Sequence, residues 1–282
     1  MLPLLSCIMP TANRRRFVPR AIGYFLAQDY PHKELVVLDD GQDSVADLMP
    51  DDPRVRYVRL DRRHSLGSKR NLACEAARGK IIAHWDDDDW HAPHRLSYQV
   101  EGLMRPGIEA CGTQALLYYD LRNGQAWQYR YPPGQRFWLA GGTLCYWRSF
   151  WQKHRFANVT IGEDARFVWS GPPGAMAALP DHLFYVAVIH PGNSSPKSCR
   201  GAYWSRWSGD LRLVMGGDLD FYQATGQAEG EAPVAPDEPA VALGKRVVAP
   251  GKPAVLTLIR READIDEPHS EERWRMNQPE KP

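Results

Sequence analysis

Short apolar runs alternate with amphipathic segments over residues 1–100 of the chain. The apolar runs have the length of buried strands and cover residues 4–9, 34–38, 54–60 and 80–85. Residues 16–28 and 68–78 instead repeat apolar side chains every three or four positions, which is typical of a helix. Alternating strands and helices predict an α/β fold, in which a mostly parallel central sheet is flanked by helices.

The pattern changes in the second half of the chain. Residues 110–119 and 125–131 are predicted as two strands joined by a turn at Asn123 and Gly124, which makes an antiparallel addition to the fold. Beyond Phe221 the chain becomes rich in Ala, Pro, Gly and Glu. We therefore expect one domain over residues 1–222 and a largely disordered tail over residues 223–282, apart from a short strand at 254–259.

Composition narrows the class of protein. The 282 residues carry a net charge of +1, which gives no overall attraction to nucleic acid, and 43% of them are hydrophobic, enough for a substantial core. The apolar start of the chain is predicted as a strand and not as a signal peptide, and no segment reaches the roughly 18–20 apolar residues of a membrane span. The five cysteines lack a CxxC spacing, so we expect a reducing, cytoplasmic setting.

Four consecutive aspartates, Asp86 to Asp89, follow the fourth apolar run. Like charges this close repel one another, so the cluster is costly unless a cation or water neutralises it. Carboxylate oxygens are preferred ligands of Mg²⁺ and Mn²⁺, and ligands of open α/β sheets bind at the carboxyl ends of the strands. A calcium loop of the EF-hand type is excluded, because the sixth position from Asp86 is His91 in place of glycine. A divalent-metal site and a solvated acidic loop are the two remaining interpretations.

Other motifs occur at the ends of the predicted elements, in a fixed order along the chain. They are Pro10-Thr11-Ala12-Asn13-Arg14, Asp39-Asp40-Gly41, Gly67-Ser68-Lys69-Arg70-Asn71, Asp86-Asp87-Asp88-Asp89-Trp90 and Gly162-Glu163-Asp164. This set resembles the glycosyltransferase family 2 enzymes, with their Rossmann-like GT-A-type fold, although Ala12 replaces the usual aromatic residue. The resemblance covers roughly residues 1–215. It implies a nucleotide-binding half over 1–100 and an acceptor-side half over 101–222.

The resemblance implies metal-dependent transfer of a sugar from a nucleotide-diphosphate sugar to an acceptor hydroxyl, with inversion at the anomeric carbon. Asp88 would ligate Mn²⁺ or Mg²⁺ directly, and Asp86 would contact the donor ribose or the metal through water. Since extended residues two apart point to the same side, Asp87, counted among the donor-binding residues, would point away, and Asp89 would orient the loop. His190, after the apolar run 183–189, would complete the metal shell or serve as a structural histidine.

The resemblance also implies a donor-binding set around the nucleotide. Asp39 or Asp40 would bond the base or ribose, unless their role is ordinary turn chemistry. The backbone at Pro10 and Thr11 would line the nucleoside pocket. Lys69 and Arg70, at the start of the second predicted helix, would bind anionic phosphate groups, unless they form only a solvated basic face of that helix. The full set is Pro10, Thr11, Asn13, Arg14, Asp39, Asp40, Lys69, Arg70, Asn71, Asp86 and Asp87.

Asp164 is the candidate general base, and Glu163 would position hydroxyl groups of donor or acceptor. The competing interpretation of this pair is an acidic helix start stabilised by the helix dipole. Gly141 and Gly142 are expected to line the acceptor side, where small residues allow close approach. His84, inside the fourth strand, is expected in the core or behind the site.

Two other functions fit parts of the sequence. A sugar nucleotidyltransferase would need a glycine-rich phosphate loop after the first strand, and residues 10–13 contain no glycine. A non-catalytic nucleotide-sugar or carbohydrate binding module would not need both the aspartate run and the Glu163-Asp164 pair. The family resemblance favours a UDP-sugar donor. It leaves carbohydrate, lipid-linked and protein hydroxyls open as acceptors. The expected location is cytoplasmic, with peripheral contact to the inner face of a membrane left open.

Overall fold

The structure is a computed structural model, and it describes residues 2–195, 197–231 and 256–257. The strands are β1 (Leu5–Thr11), β2 (Lys33–Asp39), β3 (Val55–Arg59), β4 (Ile81–His84), β5 (Trp90–His91), β6 (Ala110–Gly112), β7 (Ala115–Asp120), β8 (Gln125–Arg130), β9 (Cys145–Trp147), β10 (Met176–Ala178), β11 (Tyr185–Ile189), β12 (Trp204–Arg206) and β13 (Leu256–Thr257). The helices are α1 (Val18–Leu26), α2 (Leu66–Ala76), α3 (Arg95–Leu103), α4 (Arg148–Lys153), α5 (Glu163–Ser170), α6 (Leu211–Met215) and α7 (Asp218–Glu231).

The central sheet confirms the predicted α/β architecture. Its strands lie in the order β10-β6-β9-β4-β1-β2-β3-β13, and β4, β1, β2 and β3 run parallel. Alternate residues of each strand enter separate cores, with Cys7 and Val37 on one face and Ile8 and Val36 on the other. Helices α1 and α3 contribute to the first core, and α2, α4 and α5 contribute to the second. Burial on both faces explains why these strands are continuous apolar runs.

A second sheet supplies the predicted antiparallel addition. Its order is β12-β8-β7-β11-β5, and its neighbours are antiparallel except β7 and β11. Strands β7 and β8 form the hairpin expected at Asn123 and Gly124. Gly124 has a φ of +65°, a conformation that glycine adopts without strain, and its N–H donates to Asp120 O over 2.8 Å.

The prediction of one strand over residues 110–119 was wrong, because this segment divides between the two sheets. Strand β6 ends at Gly112 and lies in the central sheet, whereas β7 begins at Ala115 in the second sheet. At the break, the Thr113 N–H bonds the side chain of Thr143 over 3.0 Å instead of a neighbouring strand. Thr113 and Gln114 separate the two strands, and this short polar interruption was not recognised as a strand end.

The helix before the aspartate run starts two residues earlier than predicted. Ser65 is its N-cap, and its hydroxyl accepts from the Ser68 N–H over 3.1 Å. The predicted helix start at Glu163 is confirmed. Gly162 precedes it with a φ of +77°, in the left-handed region, which turns the chain sharply into α5.

The predicted domain boundary at residue 222 falls inside helix α7, which continues to Glu231. Thr225, three residues beyond that boundary, is 1% exposed, so the start of the predicted tail packs on the domain. Leu256–Thr257 pairs with β3, within the strand expected at 254–259. The disorder predicted for residues 232–255 and 258–282 lies outside the described residues. Within the described part, no helix has the length and apolar character to cross a bilayer.

Candidate active site

The four aspartates lie where the two sheets meet. Strand β4 of the central sheet ends at His84, and β5, directly after the run, pairs with β11 of the second sheet. Between them, Trp85 fixes the chain by donating from Nε1 to Ala21 O over 3.0 Å. All four aspartates line one cavity of about 170 Å³. The predicted acidic cluster at the carboxyl end of this strand is therefore built into a cavity.

Asp89 holds the acidic loop to the second sheet. One of its carboxylate oxygens accepts from the Val188 N–H over 2.7 Å, and the other accepts from the Tyr185 hydroxyl. Burial, together with the charges of Asp88 and Asp86, raises the pKa of Asp89 well above its ordinary value. This geometry fits the loop-orienting role inferred from the sequence.

Asp87 faces the site, and the expectation that it points away was wrong. Its Oδ2 accepts from the Thr11 hydroxyl over 2.5 Å, and it lines the cavity beside that residue. Burial and the charge of Asp88 raise the pKa of Asp87 to about 7. Residues 87–89 form a bend and not an extended strand, so the two-residue alternation of side chains does not apply to the aspartate run.

Asp88 is the most strongly neutralised member of the run. Three polar groups converge on its Oδ2: Arg14 Nη1 donates at 2.7 Å, Asn193 Nδ2 donates at 3.2 Å, and His190 Nε2 lies at 2.9 Å. Burial by itself would raise the pKa of Asp88, but the hydrogen bonds and charges of His190 and Arg14 outweigh burial and lower it. Asp88 is thus an ionised carboxylate in a mostly buried position.

Asp88 and His190 would provide two ligands to a bound cation, and the guanidinium of Arg14 occupies the position between them. Asp88 Oδ2 and His190 Nε2, two of the predicted ligands, lie 2.9 Å apart, and Arg14 Nη1 lies 2.6 Å from His190 Nε2. The third predicted ligand, Asp86, is directed elsewhere, toward Arg70 Nη2 at 3.7 Å. In the described part of the chain, no three His, Cys, Asp or Glu side chains gather as metal ligands. A metal at Asp88 and His190 would need further oxygen ligands from substrate phosphates or water, which is usual for Mg²⁺.

Arg70 joins the aspartate run to the predicted catalytic pair. It is 3% exposed and donates from Nη1 to Glu163 Oε1 over 2.5 Å. Burial raises the pKa of Glu163 to about 7, although the charge of Arg70 opposes the shift. Arg70 is therefore not a solvated helix-face residue, and its predicted phosphate contact stays a prediction.

Two adjacent glycines, Gly141 and Gly142, closely approach the side chains of Asp164 and Asp86. A Cβ at Gly142 would lie 2.7 Å from Asp86 Oδ2, and a Cβ at Gly141 would lie 2.9 Å from both Cβ and Cγ of Asp164. His84 is buried as expected, and its Nδ1 bonds the Gly141 carbonyl over 2.7 Å. The glycine pair is thus in close contact with both Asp86 and Asp164, and its place on the acceptor side stays a prediction.

A larger cavity of about 320 Å³ adjoins the first and shares Pro10, Arg14 and Asp87 with it. The members of the predicted donor set that line it are Pro10, Thr11, Arg14, Lys69 and Asp87. Arg63 and His64, which the sequence analysis did not single out, add basic groups to its wall. The cavity therefore has the cationic lining that a diphosphate requires.

Asp39 and Asp40 are held by the protein itself. Asp39 accepts from the N–H groups of Gly41 and Val45 and from the Tyr57 hydroxyl, with all three distances between 2.8 and 3.1 Å. Asp40 accepts from Lys69 Nζ at 2.9 Å and lines neither cavity. Burial by itself would raise the pKa of Asp40, but the hydrogen bonds from Lys69 and the His64 N–H lower it. Asp39 therefore stabilises its own turn, whereas Asp40 is paired with residues of another segment, and a donor contact of either residue stays a prediction.

Asn13 and Asn71 also line neither cavity. Asn13 has a φ of +57° and accepts from the Asp43 N–H over 3.1 Å, which ties the loop after β1 to the loop after β2. Asn71 donates to Phe156 O over 2.9 Å and accepts from Trp151 Nε1 over 2.9 Å. Both shape the walls from behind, so their predicted donor contacts have no geometric support.

The sequence analysis missed two buried residues that organise the site. Arg95 donates from Nη2 to His84 O at 2.8 Å and to Gly142 O at 2.7 Å, and its guanidinium lies 5.2 Å from the centre of the Tyr185 ring. Tyr185 in turn contacts Asp86 and Asp89. A lone arginine at a helix start carries no sequence signal of this role, because its partners lie on other segments.

Comparison with known proteins identifies the family. Residues 6–162 match the model of "Glycosyl transferase family 2", which is more than half of the chain. The chain belongs to this family. It is 39% identical over 100 residues to the putative colanic acid biosynthesis glycosyl transferase WcaA of Escherichia coli K12, an alignment that covers 34% of this chain and 36% of the relative. The chain thus spans well under half the length of this curated relative.

Two solved structures support the GT-A-like fold of this family 2 chain. The mannosyltransferase PcManGT from Pyrobaculum calidifontis, in complex with GDP-Man and Mn²⁺, matches with a TM-score of 0.51 and 19% identity, over 83% of this chain and 66% of that one. TarS of S. aureus, in complex with UDP-GlcNAc, matches with a TM-score of 0.50 and 17% identity, over 68% and 60% of the two chains. At these identities the similarity concerns the fold alone.

Proposed function

We propose that this protein is an inverting glycosyltransferase that moves a sugar from a nucleotide-diphosphate donor to an acceptor hydroxyl. The observation that carries the proposal is the arrangement around Gly141 and Gly142. Gly142 closely approaches Asp86 of the aspartate run, and the neighbouring Gly141 closely approaches Asp164. A donor in the larger cavity and an acceptor beside Asp164 would then react close to this glycine pair.

In this proposal Asp164 is the general base. It accepts the proton of the acceptor hydroxyl as that oxygen attacks the anomeric carbon, and the bond to the leaving diphosphate breaks on the opposite face. A single displacement of this kind inverts the anomeric configuration. Glu163 suits positioning better than proton abstraction, because it is buried and already accepts a hydrogen bond from Arg70.

The donor side has to receive the negative charge that develops on the leaving diphosphate. Arg63 and Arg14 line the larger cavity and can pair with phosphate oxygens, whereas Lys69 lines it but is held by Asp40. Asp88 and His190 would hold Mn²⁺ or Mg²⁺, which when bound supplies further neutralisation of that charge. The Mn²⁺ named with the P. calidifontis structure makes Mn²⁺ the first metal to test.

The identity of the donor and acceptor is part of the proposal. The family resemblance favours UDP, and TarS was solved with UDP-GlcNAc, whereas the P. calidifontis enzyme was solved with GDP-Man. Both nucleotides therefore belong in a first panel. We keep carbohydrate, lipid-linked and protein hydroxyls as acceptor classes. A cytoplasmic protein with peripheral membrane contact fits all three.

The test is nucleotide release from a panel of UDP- and GDP-sugars, with Mn²⁺ and with each acceptor class. Asp164→Asn should lower turnover by about 10²–10⁴-fold while leaving donor affinity unchanged, because a general base contributes on that scale. Asp220→Asn is the matched control, since Asp220 is also an acid in the first turn of a helix but is exposed and paired with Arg212.

Other outcomes would overturn the proposal. Donor binding without any turnover by the native chain would indicate a nucleotide-sugar binding module. Formation of a nucleotide sugar from a nucleoside triphosphate and a sugar phosphate would indicate a nucleotidyltransferase. Full turnover by Asp164→Asn would remove Asp164 from the role of base.

A further inference from the structure

Arg14 is placed as a cation in contact with two groups that a metal would use. Its Nη1 lies 2.7 Å from Asp88 Oδ2 and 2.6 Å from His190 Nε2, and its Nη2 donates to the carbonyl of Gly192. The side chain of Arg14 is 15% exposed and that of Asp88 is 11% exposed. These contacts join residues that are 74 and 176 positions apart in the chain, so they are a product of the fold.

From this geometry we infer that Arg14 is a tethered cation, which holds the position between Asp88 and His190 and leaves it when a divalent metal and the donor diphosphate bind. The inference rests on the proposed function, which supplies the diphosphate. It concerns Arg14 as a positioning residue and adds no step to the transfer reaction.

The metal and the guanidinium exclude each other on steric and electrostatic grounds. Coordination of a small divalent cation brings it to within roughly 2.0–2.2 Å of its ligand atoms, which is inside the space that Arg14 Nη1 fills beside Asp88 Oδ2. Two cations at this separation also repel each other strongly in a partly buried site. Departure of Arg14 without a replacement would leave Asp88 as a poorly neutralised, mostly buried charge. An exchange of one cation for another avoids this cost.

Arg14 has a destination within reach of its present position. It lines both cavities, the one that contains the aspartates and the larger one proposed for the donor. A guanidinium pairs with phosphate oxygens through two parallel N–H bonds, which makes a diphosphate a suitable new partner. Lys69 is already engaged with Asp40 Oδ1 at 2.9 Å and Thr11 O at 3.2 Å. Binding of nucleotide should therefore release Asp88 and His190 to the metal, so that the two ligands bind cooperatively.

The experiment measures Mn²⁺ binding to the full chain by the electron paramagnetic resonance signal of free Mn²⁺, without nucleotide and with UDP or GDP. Arg14→Gln, which removes the tethered charge, should bind Mn²⁺ about tenfold or more tightly than the native chain when nucleotide is absent. UDP or GDP should raise the Mn²⁺ affinity of the native chain about tenfold, and should raise that of Arg14→Gln by less. Arg15→Gln is the matched control, because Arg15 pairs with Asp47 over 2.6 Å and lines neither cavity.

Equal or weaker Mn²⁺ binding by Arg14→Gln would overturn the inference, and so would the absence of Mn²⁺ binding by both chains. Near-ultraviolet circular dichroism reports whether each variant is folded. Arg14→Lys is the second variant if Arg14→Gln does not fold, because it keeps a cation but loses the two-pronged contact. It should bind Mn²⁺ more tightly than the native chain, and equal affinity would contradict the inference. The nucleotide-free comparison is independent of turnover. A failure of the glycosyltransferase proposal is therefore distinguishable, since it would show as absent nucleotide-sugar turnover while the Mn²⁺ difference persists.

Discussion

Replacement of Gly141 by alanine should lower turnover by displacing Asp164. The new Cβ would lie 2.9 Å from both Cβ and Cγ of Asp164, whereas carbon atoms in contact prefer about 3.5–4.0 Å. The start of α5 must therefore shift by roughly 0.5–1 Å, because the Cβ of Asp164 cannot escape by side-chain rotation alone. A misplacement of about 1 Å at a reacting group can cost about 10²-fold in rate, and overpacking costs about 1–3 kcal/mol of stability.

The assay is nucleotide release at saturating donor, paired with calorimetric measurement of donor affinity. We expect kcat of Gly141→Ala to fall by about 10²-fold with donor affinity unchanged, because neither cavity is lined by Gly141 or Asp164. Gly23→Ala is the control, since no atom lies within 4 Å of a Cβ at that helical glycine. Native turnover by a folded Gly141→Ala chain would refute the reasoning, because the placement of Asp164 would then not matter for the reaction.

Two further predictions concern the residues behind the site. Asn71→Ala should lower the free energy of unfolding in urea by about 2–3 kcal/mol without changing donor affinity, because it leaves Trp151 Nε1 and the backbone of Phe156 without their partner; an unchanged urea midpoint would contradict this. The raised pKa of Glu163 means that the folded chain holds this proton more tightly than the unfolded chain, so its stabilising contribution is present below pH 4.5 and is lost as pH rises toward about 7. Glu163→Gln should therefore show a smaller decrease in stability over this range than the native chain, and identical pH profiles in urea unfolding would count against the shift.

The local elements of this protein could be predicted because their signals are short-range. Buried parallel strands need continuous apolar runs, so β1, β2 and β4 were readable from the sequence. The aspartate run was recognisable because four adjacent like charges at a strand end repel one another and need neutralising partners. The helix start at Glu163 followed from its motif, and Gly162 supplies the turn that this start needs.

Other predictions failed because the deciding contacts are made across the fold. The division of residues 110–119 between two sheets depends on Thr143, which is 30 residues from Thr113. The motif at Asp39 and Asp40 could not show that Lys69, 29 residues away, bonds Asp40. Asp87 turned toward Thr11 because the aspartate run bends where it passes between the sheets.

The sequence by itself determined the family, the parallel sheet and the identity of the acidic groups, since each depends on residues close together in the chain. Only the tertiary structure decided how those groups are paired. It placed Arg14 between Asp88 and His190, Arg70 against Glu163, and Gly141 against Asp164. The physical reason is that the charge state and accessibility of a carboxylate depend on its neighbours in space, and here those neighbours come from segments that only the meeting of the two sheets brings together.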